Sequence, residues 1–264
     1  MTGIYFSGTG NTRYCIKRFL EKLGADERAF PIEDAAAVRA ISEDNEIVFA
    51  YPVYYSNIPK IIRDFIEENK TLWQGKRIFI IATMGLFSGD GVGVSARLFK
   101  KYGAEISGGL HLKMPDCIGD VGLLKKSPDD NREIIKQAAQ KTDNAAERYR
   151  NGKPPREGLS VFHLIAGLFG QRLWFGGKVK DYANLPKIDG EKCIGCGACE
   201  RLCPMGNIKI KDGRAISGNR CTMCYRCFSE CPKQAITLIG KRVTVQYKLD
   251  DRTIDLLGNW RGAV

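Results

Sequence analysis

Short apolar runs alternate with amphipathic stretches through the first 150 residues. Ile4-Tyr5-Phe6, Glu27 to Phe30, Glu46 to Tyr51, Arg77 to Thr83 and Glu105 to Leu112 read as strands. Between them, Ile16, Phe19, Leu20 and Leu23 recur at helical spacing with Cys15 beside them, and further helices are predicted near Ala35 to Ile41, Pro59 to Asn69 and Gly93 to Tyr102. A last helix opens at Ser127 as cap, with Pro128 in the first turn and Asp129-Asp130 beside its positive end. Ile134, Ile135, Ala138, Ala139, Ala146 and Tyr149 give it one buried stripe. Strands alternating with helices imply an α/β domain with a parallel sheet covered on both faces.

The pattern changes after Asn151-Gly152-Lys153-Pro154-Pro155, which marks a boundary. From Leu159 to Phe175 runs an apolar stretch interrupted by Gln171-Arg172, too short to span a bilayer. A helix buried between domains is the preferred reading, with a membrane-surface or partner-docking helix as its rival. From Ile188 the layout is compact and repeated. Ile208 and Ile210 alternate with Lys209 and Lys211 before an Asp212-Gly213 turn, predicting a hairpin; Ile236 and Leu238 open the matching strand of a second copy. Val243, Val245 and Tyr247 predict one more strand, and the tail through Trp260 covers another surface. The expected organisation is a domain over 1–150, a connector with an apolar helix over 151–187, and a small α+β domain over 188–264. A chain of 264 residues with 44% hydrophobic content suits two cores. It starts Met1-Thr2-Gly3 without a basic, apolar leader, so the cytoplasm is the expected location.

Chemistry enters directly behind the first strand. Ser7-Gly8-Thr9-Gly10-Asn11-Thr12 follows Phe6, and a helix opens behind it. Two glycines let the backbone aim N–H groups inward, Ser7, Thr9, Asn11 and Thr12 add side-chain donors, and the helix amino terminus points at the same place. This is a cradle for a monoester phosphate. It lacks both a Walker lysine and a G-x-G-x-x-G run. In sequence and position it resembles the FMN phosphate loop of flavodoxins. That resemblance implies a doubly wound five-stranded sheet of order 2-1-3-4-5, with the flavin at the carboxyl edge between strands 1 and 3. Two further loops are then expected to flank the ring: Pro52, Val53, Tyr54 and Tyr55 after strand 3, and Met84, Gly85, Phe87 and Gly89 after strand 4. Tyr54, Tyr55 or Phe87 would stack on it.

Eight of the ten cysteines fall in two copies of one spacing, C-x2-C-x2-C-x3-C-P. The first comprises Cys193, Cys196, Cys199 and Cys203 before Pro204, the second Cys221, Cys224, Cys227 and Cys231 before Pro232. Structural zinc would leave a third cysteine idle in each run, and disulfides suit small secreted domains. The spacing matches two-cluster ferredoxins and predicts two [4Fe-4S] clusters with crossed ligands: Cys193, Cys196, Cys199 and Cys231 on one, Cys221, Cys224, Cys227 and Cys203 on the other. Of the remaining cysteines, Cys15 reads as core and Cys117 as a loop thiol without a basic neighbour. With only His111 and His163 in the chain, a Cys-His or Ser-His hydrolase has little support.

The formal charge of +11 is unevenly placed. Residues 1–150 carry 22 Lys+Arg against 20 Asp+Glu, net +2, and residues 151–264 carry 19 against 10, net +9. Two clusters at about −2 each would bring the second half to about +5. The remainder would steer an acidic partner, such as an acidic ferredoxin or flavodoxin acting as low-potential donor, or an anionic substrate. No aromatic-basic repeat accompanies the charge, so nucleic acid is not expected.

Flavodoxin-like half, apolar connector and double cysteine module, in that order, resemble the fused flavodoxin-ferredoxin family of anaerobic bacteria and archaea. The resemblance implies FMN and two [4Fe-4S] clusters in one polypeptide that converts one-electron into two-electron chemistry. It names no catalytic residue and no single acceptor, which is either a small molecule or a redox enzyme. A non-catalytic carrier serving a partner such as a corrinoid or radical enzyme is the alternative.

Overall fold

The computed structural model describes residues 1–25, 28–54, 57–87, 89–124, 126–160 and 184–250. Two compact units divide it. The first comprises Met1–Ser7, Thr12–Pro115 and Glu133–Gly177; the second comprises Gly8–Asn11, Asp116–Arg132 and Lys178–Val264. The second unit is therefore discontinuous in sequence, drawing in two segments from the first 150 residues.

The first unit holds five strands, β1 (Thr2–Tyr5), β2 (Ala29–Pro31), β3 (Glu46–Pro52), β4 (Arg77–Met84) and β5 (Glu105–Lys113). All pair in parallel, in the order β2-β1-β3-β4-β5. Helices α1 (Asn11–Lys22), α2 (Ala35–Glu43), α3 (Lys60–Glu68), α4 (Gly91–Lys101) and α5 (Pro128–Arg150) connect or follow them. This is the expected flavodoxin-like order. The central strands read as continuous apolar runs because both faces are covered: Ile47, Val48, Phe49, Ala50 and Tyr51 of β3 are all buried. Phe49, Trp73 and Phe99 pack edge to face in one aromatic cluster. A second has Phe19 stacked on Phe79 at 4.9 Å, with Tyr149 edge-on to both. Cys15 is fully buried on α1, as its apolar neighbours predict.

Ser127 caps α5 by a reciprocal box. Its hydroxyl accepts the Asp130 N–H at 3.0 Å, and the Asp130 carboxylate accepts the Ser127 N–H at 3.2 Å. Glu27, Tyr55, the apolar run beyond Ser160 and the tail beyond Asp250, Trp260 included, lie outside the described residues. Among the described residues, no helix is long and apolar enough to cross a membrane.

The second unit contains β6 (Lys187–Ile188), α6 (Ala198–Leu202), β7 (Ile208–Lys211), β8 (Arg214–Ser217), α7 (Arg226–Ser229) and β9 (Ile236–Thr237). The hairpin around Asp212-Gly213 forms as predicted, β7 pairing antiparallel with β8. The second copy differs: β9 pairs with β6 instead of forming a hairpin of its own. The strand predicted from Val243, Val245 and Tyr247 is absent. That segment has no regular secondary structure, and its backbone bonds a loop instead: the N–H groups of Thr244 and Val245 both donate to the Gly119 carbonyl, at 2.8 and 3.0 Å. Alternation there records a surface passing between fixed anchors, and no neighbouring strand is present among the described residues to build a ladder. The module also has a real apolar core, with Ile208, Tyr225, Phe228, Ile236, Leu238 and Leu249 all essentially inaccessible.

Candidate cofactor sites

β1 ends at Tyr5 and α1 begins at Asn11, so Ser7 to Gly10 turn the chain from strand into helix. No acidic side chain stands in the first turn of α1, leaving its positive end available to an anion. Thr9 and Thr12 are buried in the turn. The Thr12 hydroxyl meets that of Thr83 at the end of β4 at 2.8 Å; whichever donates, the pair keeps one O–H to give. Glycines where the backbone must bend, hydroxyls beside them and an uncompensated helix terminus fit a phosphate monoester.

The ring-flanking candidates also gather at the carboxyl ends of the strands. Pro52 closes β3, and the Val53 N–H donates to the Thr83 carbonyl at 2.8 Å. Tyr54 and Asn57 exchange backbone hydrogen bonds, both at 3.0 Å. Met84 closes β4 and its carbonyl takes the Met114 N–H at 2.8 Å; Gly85 follows, Phe87 is 51% exposed and Gly89 has φ +50°. Tyr55 falls outside the described residues, so Tyr54 and Phe87 are the two described aromatic candidates.

In the second unit the eight cysteines line two cavities. One is bounded by Cys193, Cys196, Cys199 and Cys231; the other by Cys203, Cys221, Cys224 and Cys227. Each run lends its fourth cysteine to the other's cavity. Among the described residues, no three Cys, His, Asp or Glu side chains converge closely enough to hold a single metal ion. Four thiols lining each cavity without converging on one point suit a multi-atom core better than a single zinc ion. Backbone N–H groups already point at the sulfurs. Ala215 and Ala235 donate to Cys193 and Cys231, both at 3.3 Å, while Asn207 and Met223 donate to Cys203 and Cys221 at 3.2 and 3.3 Å. Burial pushes the Cys224 thiol up to about 11 and raises Cys199, Cys221 and Cys227 as well. Replacing those protons is the work of a cationic core.

The two runs reach this geometry at different backbone expense. Gly195 and Gly197 have positive φ in the first run; Met223 and Tyr225, at the equivalent places in the second, have φ +56° and +57°. A non-glycine residue there costs about 1–2 kcal/mol. Tyr225 is held by Asp120, a 4% exposed carboxylate in the loop between β5 and α5. Asp120 accepts the Tyr225 hydroxyl at 2.9 Å and the N–H groups of Leu238, Ile239 and Gly240 at 2.7, 2.9 and 3.0 Å. Nothing in the sequence pattern singles out Asp120, since all four donors lie more than 100 positions away. Asp120→Ala strips four donors of their acceptor, and at about 1–3 kcal/mol for each buried one the loss should reach at least about 3 kcal/mol. Denaturant unfolding of the holoprotein checks this, and an unshifted midpoint would contradict it.

Gly8–Asn11 belongs to the same compact unit as these cysteines. A Cβ on Gly8 would fall inside the Cys224 carbonyl oxygen, and one on Gly10 inside that of Leu249. The Leu249 N–H donates to the Thr9 carbonyl at 2.8 Å, and the Tyr247 hydroxyl donates to the Asn11 side-chain oxygen at 2.7 Å. Cys117 is half-buried, and burial, with Asp116 and Cys224 adding, pushes its thiol up, away from reactivity.

Residues 4–102 match the family model of a flavodoxin domain, and residues 192–235 that of a 4Fe-4S dicluster domain. The chain belongs to the fused flavodoxin-ferredoxin proteins. The cofactors of this flavodoxin-ferredoxin are FMN and [4Fe-4S] clusters. It is 39% identical over 56 residues to an uncharacterised ferredoxin of Methanocaldococcus jannaschii, covering 19% of this chain and 73% of that one. It is 45% identical over 47 residues to one component of an ion-translocating oxidoreductase complex of Methanosarcina acetivorans, covering 17% and 18%. The solution structure of two-electron reduced Megasphaera elsdenii flavodoxin overlays 55% of this chain and 100% of its own at 19% identity and a TM-score of 0.39. Three of the curated relatives are matched over only 20%, 18% and 48% of their own length. Both modules support an electron-transfer role.

Proposed function

We propose that this flavodoxin-ferredoxin is a low-potential reductase component, in which the cysteine module passes electrons singly and the flavin site delivers them in pairs to an acceptor. Bound FMN supplies one- or two-electron chemistry, and each [4Fe-4S] cluster supplies one-electron transfer. The observation that carries the reading is the shared unit of Gly8–Asn11 and the cysteines, with the Cys224 carbonyl seated against Gly8. Cys203, Cys221, Cys224 and Cys227 then hold one cluster, which shares a unit with Gly8–Asn11. Cys193, Cys196, Cys199 and Cys231 hold the other, where exposed Cys196 opens toward an external donor. Ser7, Thr9, Gly10, Asn11 and Thr12 hold the phosphate. Pro52, Val53, Tyr54, Tyr55, Met84, Gly85, Phe87 and Gly89 frame the ring. Basic residues of the cysteine half favour an acidic ferredoxin or flavodoxin as donor. The organisation into 1–150, 151–187 and 188–264 and a cytoplasmic setting belong to the same proposal.

Stepwise anaerobic reduction of the reconstituted protein, followed by its flavin and cluster absorbance, tests the relay. Cluster and flavin bands should bleach and recover together once an acceptor is added, and a small molecule that reoxidises both marks a reductase. Flavin absorbance that ignores cluster reduction would sink the proposal. Reoxidation confined to a partner protein would leave the protein as a carrier.

A further inference from the structure

The two cysteine runs repeat with an offset of 28 residues, so each cavity residue has an equivalent in the other copy. Cys193, Cys196, Cys199 and Cys231 correspond to Cys221, Cys224, Cys227 and Cys203. Pro232 corresponds to Pro204, Ile236 to Ile208, and Leu238 to Ile210. The equivalence breaks at three polar positions, one of which, Lys233 against Met205, puts its polar side chain in the cavity of Cys193, Cys196, Cys199 and Cys231. At the other two, Asn207 stands where the other copy has Ala235, and Thr222 where it has Ile194. These two come from different runs, yet the crossed fold delivers both to one cavity, that of Cys203, Cys221, Cys224 and Cys227. The equivalent Ala235 and Ile194 line the other.

Both polar side chains are more than nine-tenths buried, Asn207 at 4% exposure and Thr222 at 7%. The side-chain nitrogen of Asn207 and the hydroxyl of Thr222 have no hydrogen-bond partner among the described residues. The Asn207 amide is not free to turn its oxygen inward, because that oxygen accepts the Arg220 N–H at 2.6 Å. A buried donor left without an acceptor is costly, and buried polar groups in folded proteins are nearly always satisfied. No cysteine sulfur is within hydrogen-bond reach of either donor, so the acceptor left to them is the inorganic sulfide of the cluster this cavity would hold. The described backbone donors do not distinguish the cavities, with Ala215 and Ala235 N–H serving one and Asn207 and Met223 N–H the other. The side chains do.

We infer that Asn207 and Thr222 donate N–H···S and O–H···S hydrogen bonds to the cluster held by Cys203, Cys221, Cys224 and Cys227. They thereby set its reduction potential above the value that the equivalent Ala235 and Ile194 would give. Reduction adds negative charge to the core, and hydrogen bonds to its sulfurs stabilise the more negative state. Both are positioning and tuning residues, not ligands. The inference rests on the crossed ligand assignment of the proposed function.

The test uses the full chain, reconstituted anaerobically, with iron analysis and an EPR-monitored redox titration that resolves the two clusters. Cys203→Ser and Cys231→Ser first establish which signal belongs to which cavity. Asn207→Ala and the near-isosteric Thr222→Val should then retain full iron. Each should move the potential of the Cys203 cluster to more negative values, the double variant furthest, while the other potential stays. Thr222→Ser keeps the hydroxyl and should restore the original value. Unmoved potentials at full iron overturn the tuning. Movement of the Cys231 cluster alone overturns the crossed assignment. Loss of iron from Asn207→Ala shifts the decision to Thr222→Val against Thr222→Ser, which leave the volume nearly unchanged.

Discussion

Anaerobically reconstituted, the Cys203→Ser chain is expected to lose the same cluster as Cys227→Ser, and the Cys231→Ser chain the other. Read along the sequence, Cys203 belongs with Cys193, Cys196 and Cys199, so an uncrossed arrangement predicts the opposite pairing. The crossed one follows from the cavities, in which Cys203 joins Cys221, Cys224 and Cys227. The effect is large because a thiolate, the native iron ligand, is replaced by a hydroxyl, a weak one. Wild-type protein should hold about eight irons and each variant about four. EPR of the dithionite-reduced samples gives the comparison. Matching residual spectra for Cys203→Ser and Cys227→Ser support the crossing, whereas matching spectra for Cys203→Ser and Cys199→Ser would end it. Because Asp120, Tyr225 and the chain from Leu238 to Gly240 tie the second cavity to the rest of its unit, its loss should also lower the unfolding midpoint.

The second large effect is expected at Gly10. Its φ of +97° lies where a side chain is unfavourable, and the Leu249 carbonyl occupies the place a Cβ would take. Gly10→Ala therefore combines backbone strain of about 1–2 kcal/mol with overpacking of about 1–3 kcal/mol. Relief is difficult, since the obstructing atom is main chain held by the Leu249 N–H on Thr9 at 2.8 Å. Gly24 provides the contrast: its φ is +74°, but nothing lies within 4 Å of its missing Cβ, so Gly24→Ala should show the strain alone. Denaturant titration of both variants, with FMN affinity by fluorescence, separates the contributions. Gly10→Ala should lose more stability than Gly24→Ala and should also release flavin. Equal losses with unchanged FMN binding would mean that Leu249 is not seated against the loop.

The five strands were legible because their signals are local, and their order followed from the resemblance carried by the loop Ser7 to Thr12. β3 and β4 are continuous apolar runs, Ser127 as cap with Pro128 and Asp129-Asp130 behind it announces α5, and the cysteine spacing repeats itself. What escaped depends on partners distant in sequence. Nothing around Asp120 indicates that its carboxylate collects four donors from a segment more than 100 residues on. Val243, Val245 and Tyr247 alternate as a strand would, but the partner their segment finds is a single carbonyl on Gly119. Met223 and Tyr225 give no hint of left-handed backbone, because that conformation is imposed by the need to wrap a cavity. Gly8 and Gly10 read as room for phosphate, and the structure adds a second demand at both, the close approach of Cys224 and Leu249.

The discontinuity of the second unit bears on how such a protein can be taken apart or assembled by recombination. A cut anywhere between residues 151 and 187 separates the cysteine repeat from Asp116–Arg132 and from Gly8–Asn11, both of which its own unit includes. The excised piece would keep every iron ligand and lose the carboxylate that orders the loop around half of them. These two modules are not interchangeable beads on a string: a ferredoxin grafted onto this flavodoxin half would have to inherit the loop before α5 as part of the graft.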